Sequence, residues 1–195
     1  RGRTPQAPAP ASASAGCDLH ACGWWRRMTL PPDPPVRAYV GLGSNLGDSA
    51  GVLAEAIFAL DELPQTSVRA QSALYQTPAW GRTDQPDFIN AVVELQTRLV
   101  PEVLLQQLLL LERRFGRERR DGERWGPREL DLDLLLHGAA VLDEPGLHLP
   151  HPRICERAFV LVPLAEIAPA LDVPGMGRVA DLLAAVASDG IRALP

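Results

Sequence analysis

From Leu130 to Leu136 the chain reads Leu-Asp-Leu-Asp-Leu-Leu-Leu, and its first five residues alternate apolar with acidic at a period of two. An extended strand turns successive side chains to opposite faces. The stretch therefore predicts a β-strand with Leu130, Leu132, Leu134 and Leu136 on a core face and Asp131 and Asp133 on the other. Carboxylates at i and i+2 stand roughly 6.5 to 7 Å apart at their Cα atoms, close enough to hold one or two hard divalent cations through oxygen. The solvated face of an edge strand would show the same alternation. What precedes the strand favours the cation.

Between Glu112 and Arg128 seven arginines (113, 114, 117, 119, 120, 124 and 128) stand against four acids (112, 118, 121 and 123), a surplus of three positive charges in a chain of net charge −5. A basic stretch on an acidic protein suggests an anionic ligand. Cations and guanidinium forks acting on one substrate are the usual equipment of phosphoryl chemistry, where catalysis is mostly positioning and charge neutralisation. All nineteen basic residues are arginine. The absence of lysine excludes Schiff-base catalysis and the phosphate loop that ends in Gly-Lys-Ser/Thr. Arginine binds phosphate oxygens bidentately, so a nucleotide remains accessible by another architecture.

The 195 residues allow one domain, with no apolar run approaching the roughly 20 residues of a membrane span. Three cysteines cannot build a disulfide framework. A cytoplasmic protein without a membrane or nucleic-acid partner is expected. Residues 1–35 are rich in Ala, Pro, Ser and Arg, lack an apolar period, and are expected to form a disordered tail ahead of a single domain over 36–195. Met28 is a candidate natural start, with an organelle transit peptide as the rival reading of what precedes it.

From Val36 the pattern predicts alternating elements. Ala38–Leu42 reads as a strand, followed by a Gly-Ser-Asn-Leu-Gly-Asp turn over 43–48. Ser49–Leu63 reads as a helix with Leu53, Ala56, Ile57 and Leu60 on its stripe, stopped by Pro64. Ser67–Gln76 and Phe88–Thr97 read as strands, the second with Ile89, Ala91, Val93 and Leu95 inward and Phe88, Asn90 and Val92 opposite. Pro101 opens a helix with Val103, Leu104, Leu108 and Leu111 inward. After the aspartate strand, helices are expected over Glu156–Ile167 and Val179–Ala187. The order β-α-β-β-α-β from Val36 to Leu136 predicts an α+β fold, a ferredoxin-like βαββαβ core whose antiparallel sheet has helices packed on it.

Several separate stretches converge on one family. Gly41-Leu42-Gly43-Ser44-Asn45-Leu46-Gly47, Tyr75-Gln76-Thr77-Pro78, Gln85-Pro86-Asp87-Phe88-Ile89-Asn90-Ala91, Arg124 to Asp133, and Pro150-His151-Pro152-Arg153 with Arg157-Ala158-Phe159 occur in family order. The chain resembles 6-hydroxymethyl-7,8-dihydropterin pyrophosphokinase of folate biosynthesis from Tyr39 to about Pro169. The resemblance implies transfer of pyrophosphate from ATP to 6-hydroxymethyl-7,8-dihydropterin, with AMP released. It implies that Asp131 and Asp133 hold two magnesium ions and, with Arg119 and Arg128, form the catalytic set. Thr77, Pro78, Phe88, Asn90, Trp125 and Phe159 would take the pterin. Glu112, Arg119, Arg128, His151 and Arg157 would take ATP. An amide at position 90 offers donor and acceptor together, which suits the mixed edge of a pterin.

Two other readings keep part of the pattern. A magnesium-dependent nucleotidyl or phosphoryl transferase with another acceptor would use the same carboxylates. A nucleic-acid surface built on the arginine stretch with Trp80 and Trp125 would need a basic face that the acidic chain does not offer.

Overall fold

Seven consecutive residues of strand β1 (Val36–Ser44), from Ala38 to Ser44, are buried. A strand without an exposed face has to lie mid-sheet, covered on both sides. The computed structural model describes residues 34–79, 84–116 and 127–195. The expected tail, apart from Pro34 and Pro35, and the candidate start at Met28 lie outside the described residues.

Asp48 caps helix α1 (Ser49–Asp61) by accepting the Gly51 N–H at 3.1 Å. Strand β2 (Thr66–Gln71) follows, then β3 (Tyr75–Thr77), β4 (Phe88–Thr97), helix α2 (Pro101–Arg114) and β5 (Asp131–His137). Pro101 opens α2, and Arg113 and Arg114 close it against the helix dipole. All sheet neighbours are antiparallel: β5 lies beside β1, β1 beside β4, and β4 beside β2 and β3 in turn. Each helical crossover therefore skips one strand, which is the ferredoxin-like arrangement expected from the element order.

The single strand expected over Ser67–Gln76 is two strands. Ser72 replaces a ladder bond with its hydroxyl, which accepts the Val92 N–H at 3.0 Å, while the Glu166 carboxylate takes the Ala73 N–H and the Tyr75 hydroxyl. A side chain competing for backbone donors ends the ladder locally.

One face of the sheet carries Ala38, Val40, Leu42, Ala91, Val93, Leu95, Leu130, Leu132 and Leu134 against Leu53, Ala56 and Leu60 of α1 and Leu104, Leu108 and Leu111 of α2. Val103, expected on that stripe, is exposed, since it stands about 100° around the helix from Leu104. The other face carries Tyr39, Val92, Leu135 and Leu136 against helix α3 (Ala158–Ile167) and helix α4 (Val179–Ala184). Leu136 was expected with Leu134. The β1–β5 register shifts between Tyr39 and Val40, which pair with Leu136 and Leu134, so Leu135 is the extra residue of a bulge and Leu136 turns to the second core.

The hairpin of β6 (Leu142–Glu144) and β7 (Leu147–Leu149) follows β5. The helix expected over Glu156–Ile167 is broken: a 3-10 turn (Ile154–Glu156) precedes α3, and Arg157 between them is extended at φ −108°, ψ 95°. Beyond α3 lie a short hairpin of β8 (Asp172–Val173) and β9 (Gly177–Arg178), then α4, and β10 (Arg192–Ala193), which pairs with β3. No helix among the described residues is long and apolar enough to cross a membrane.

Candidate active site

Asp131 pairs with Gly43 and Asp133 with Gly41, and Gly43 in turn pairs with Asn90, so both carboxylates share a sheet face with the two glycines and Asn90. A pocket opens there. It is lined by Gly41, Leu42 and Gly43 of β1, Thr77 and Pro78 after β3, Gln85, Phe88, Asn90 and Ala91 at the start of β4, Arg128, Asp131 and Asp133 at the start of β5, and Arg157, Phe159 and Val160 at the start of α3. Nine of the residues singled out in the sequence thus meet in one cavity: Thr77, Pro78, Phe88, Asn90, Arg128, Asp131, Asp133, Arg157 and Phe159.

Its two ends differ in chemistry. At one end Asn90 is buried and donates from Nδ2 to Thr77 Oγ1 at 2.7 Å. Its Oδ1 lies over Gly43, where a Cβ would come within 2.9 Å of it. Any larger residue at position 43 would displace that amide. Phe88 and Phe159 add aromatic surface.

At the other end each aspartate is held by an arginine. Arg128 Nη1 donates to Asp131 Oδ2, and Arg157 Nη1 donates to Asp133 Oδ2 at 2.9 Å. The carboxylates remain partly open, with 24% and 36% of their side chains exposed. Arg157 also lies 5.5 Å from the centre of the Phe159 ring, and its Nε is buried without a hydrogen-bond partner. An orphaned buried N–H in a pocket wall is costly unless a ligand supplies an acceptor.

His151 does not line the pocket. Its backbone N–H donates to Leu135 O at 2.9 Å, and its Nδ1 accepts the Arg153 N–H at 3.2 Å. The ring proton therefore sits on Nε2. Burial pushes the ring pKa below its usual value, outweighing the pull of Asp133 in the other direction. Glu112, expected on the ATP side, is also absent from the lining. It is buried in the last turn of α2, where Oε1 accepts the Leu132 N–H at 2.8 Å. Its carboxylate fixes the outer edge of β5 between the two aspartates. Arg119 and Trp125 lie outside the described residues.

Two site residues escaped the sequence reading. Asn45 Oδ1 accepts the Arg128 N–H at 2.7 Å, its own N–H donates to Arg128 O at 3.0 Å, and its Nδ2 donates to Pro86 O at 3.2 Å and to Gln85 Oε1 at 3.3 Å. One amide thus ties the segment entering β4 to the segment entering β5. In the sequence Asn45 stands in a turn motif that also carries the family resemblance, with no role given to its amide. The second residue, Gln85, lines the pocket itself.

Comparison with known proteins gives a consistent outcome. The profile described as 7,8-dihydro-6-hydroxymethylpterin-pyrophosphokinase (HPPK) matches residues 39–169. A 2-amino-4-hydroxy-6-hydroxymethyldihydropteridine pyrophosphokinase of Methylorubrum extorquens is 51% identical over 140 residues, covering 72% of this chain and 87% of the relative. The enzyme of the same name from Pseudomonas aeruginosa is 46% identical over 159 residues, covering 82% and 97%. Among solved structures, Plasmodium falciparum HPPK-DHPS A437G with STZ-DHP superposes with a TM-score of 0.61 at 13% identity, over 77% of this chain. The chain spans 45% of that longer protein, and the likeness speaks for the fold alone.

Proposed function

The chain belongs to the 7,8-dihydro-6-hydroxymethylpterin-pyrophosphokinase family, and from that premise we propose that the pocket between β1, β4, β5 and α3 is where its two substrates meet. The reaction is pyrophosphoryl transfer to hydroxymethyldihydropterin in folate biosynthesis. The pterin hydroxymethyl oxygen forms a bond to the β-phosphorus of ATP. The bond from that phosphorus to the α–β bridging oxygen breaks, the hydroxyl proton is lost, and AMP leaves. We read the cytoplasm as its setting, where ATP is supplied.

The single observation that carries the site assignment is the pairing of Asp131 with Arg128 and of Asp133 with Arg157 in a pocket that is also lined by Phe88, Phe159 and the Asn90 amide bonded to Thr77. Phosphate charge competes with carboxylate for both guanidinium groups. As ATP arrives, Arg128 and Arg157 are free to turn toward phosphate oxygens, which leaves the two carboxylates facing the triphosphate.

The donor set fits magnesium. Among the described residues no third acidic, histidine or cysteine ligand joins the two aspartates in a metal-binding group. Magnesium is commonly held by one or two carboxylates plus substrate phosphates rather than by a protein cage. Two ions are expected. Asp131 and Asp133 would hold them, and when bound they would supply positive charge that offsets charge on the transferred and leaving groups.

The chain's own residues supply the rest. Asn90 Oδ1, fixed by the Thr77 bond and the open space at Gly43, accepts an N–H of the pterin edge. Phe88 and Phe159 sandwich the ring, and Pro78 closes its side. Arg157 Nε, orphaned in the pocket wall, has a phosphate oxygen as its natural acceptor. His151, neutral and carrying its proton on Nε2, is a donor to the phosphates without adding charge. For Arg119 and Trp125 the family resemblance alone supports roles on the ATP and pterin sides.

Counting bound Mn2+ by paramagnetic resonance in the presence of a non-hydrolysable ATP analogue tests the metal assignment. Two ions per chain are expected, with fewer in Asp131→Asn and Asp133→Asn. Equal occupancy in both variants and the parent would refute it.

A further inference from the structure

The last residues of the chain bring a strand to the wall of the pocket. β10 pairs antiparallel with β3, Arg192 opposite Gln76 and Ala193 opposite Tyr75, and beyond it the Leu194 N–H donates to Leu74 O at 2.8 Å. β3 is three residues long and runs directly into Thr77 and Pro78. Without β10 so short a strand would be paired on one side only, with β4, and would be a weak wall, since strands gain their stability from neighbours.

Two further contacts aim at the same wall. Gly190 has φ +80° and lies so close to Pro78 that a Cβ would come within 3.0 Å of its Cγ and 3.5 Å of its Cδ. The left-handed conformation and the close approach both require glycine there. Beside it a side-chain relay crosses the sheet: Arg192 Nη2 donates to Gln76 Oε1 at 3.4 Å, and Gln76 Nε2 donates to Asp87 Oδ2 at 2.8 Å. Asp87 immediately precedes Phe88. The C-terminal strand thus touches the segment that carries Thr77 and Pro78 and reaches the one that carries Phe88 through Gln76, yet it lines none of the pocket and lies beyond the residues 39–169 that match the family profile.

We propose that β10, seated through Gly190 on Pro78, is a buttress that sets the spacing of the Thr77–Pro78 wall from Phe88 and Asn90, making Gly190 and Arg192 positioning residues for the pterin. The proposal rests on the reading that Thr77, Pro78, Phe88 and Asn90 hold the heterocycle. The arginine end of the pocket is built on β5 and α3, whereas among the described residues the strand partner of β10 is β3, at the opposite edge of the sheet from β5. Loosening the buttress therefore weakens one substrate and spares the other.

The experiment compares the full chain with Gly190→Ala, a variant lacking residues 190–195, and Asn90→Ala. For each, KM is measured separately for hydroxymethyldihydropterin and for ATP, together with kcat and thermal stability. Gly190→Ala and the shortened chain are expected to raise the pterin KM about fivefold or more while the ATP KM stays within about twofold. Asn90→Ala should also raise the pterin KM. If Asn90→Ala raises it and the two C-terminal variants do not, the buttress is wrong and the site reading stands. If none of the three raises it, the site reading has failed and the proposal with it. Equal rises in both KM values would mark general loosening and overturn the proposal. Should the shortened chain fail to fold, Gly190→Ala decides, because position 190 is exposed and belongs to neither core.

Discussion

Asn90 and Gly43 face each other across β4 and β1 as register partners, and a Cβ on residue 43 would come within 2.9 Å of the amide oxygen of Asn90. Gly43→Ala is therefore expected to push the amide off its bond to Thr77 and out of line with the pterin. Loss of a matched buried hydrogen bond costs about 1 to 3 kcal/mol. Calorimetry should show weaker pterin binding and unchanged ATP-analogue binding; equal pterin affinity would mean that Asn90 Oδ1 makes no contact with the ligand.

Asn45→Ala is expected to lower turnover more than it lowers stability. It removes the acceptor of the Arg128 N–H and the donor to Pro86 O, so the entries to β4 and β5 are no longer held together. Asn45→Asp keeps the first bond and should recover part of the rate. Steady-state kinetics with thermal denaturation on both variants checks the order. Parent-like turnover in Asn45→Ala would deny the tie any role.

His137 supplies a pH dependence of stability that is separate from catalysis. Its Nε2 donates to Leu99 O at 2.9 Å, and burial pushes its pKa below the usual value. A depressed histidine leaves the unfolded chain binding the proton first as pH falls. The stabilisation is therefore complete above the ordinary value of about 6.5 and is lost as pH drops through the lower folded value. Melting temperature should fall on acidification below about pH 6.5. The fall should be shallower in His137→Gln, which keeps a donor to Leu99 and does not titrate. Parallel curves for the two proteins would assign acid sensitivity elsewhere.

The sequence made the aspartate strand, the two helices on the first sheet face and the order of the ferredoxin-like core legible, because each follows from a period of 2 or 3.6 that local residues carry. It did not reveal that Leu136 changes cores, since a bulge is set by the register of β1 against β5 and leaves Leu-Leu-Leu unaltered. Ser72 and Asn45 likewise look like ordinary polar residues until their partners are known. Asn45 meets Arg128 at a separation of 83 residues. Glu112 was placed by motif with the nucleotide, yet it is buried against the Leu132 N–H, a backbone partner that no side-chain pattern announces. The two-residue strand β10 is too short for any periodicity to mark it.

The central claim is that Asp131 and Asp133 stand where pyrophosphate passes from ATP to the pterin. Incubation of the parent protein, Asp131→Asn and Asp133→Asn with ATP, magnesium and 6-hydroxymethyl-7,8-dihydropterin, followed by identification of the nucleotide product, tests it most directly. The parent should release one AMP for each pterin pyrophosphate formed. Both variants should keep the parent's circular dichroism and release almost none. Release of ADP by the parent, or near-parent AMP formation by either variant, would contradict the account.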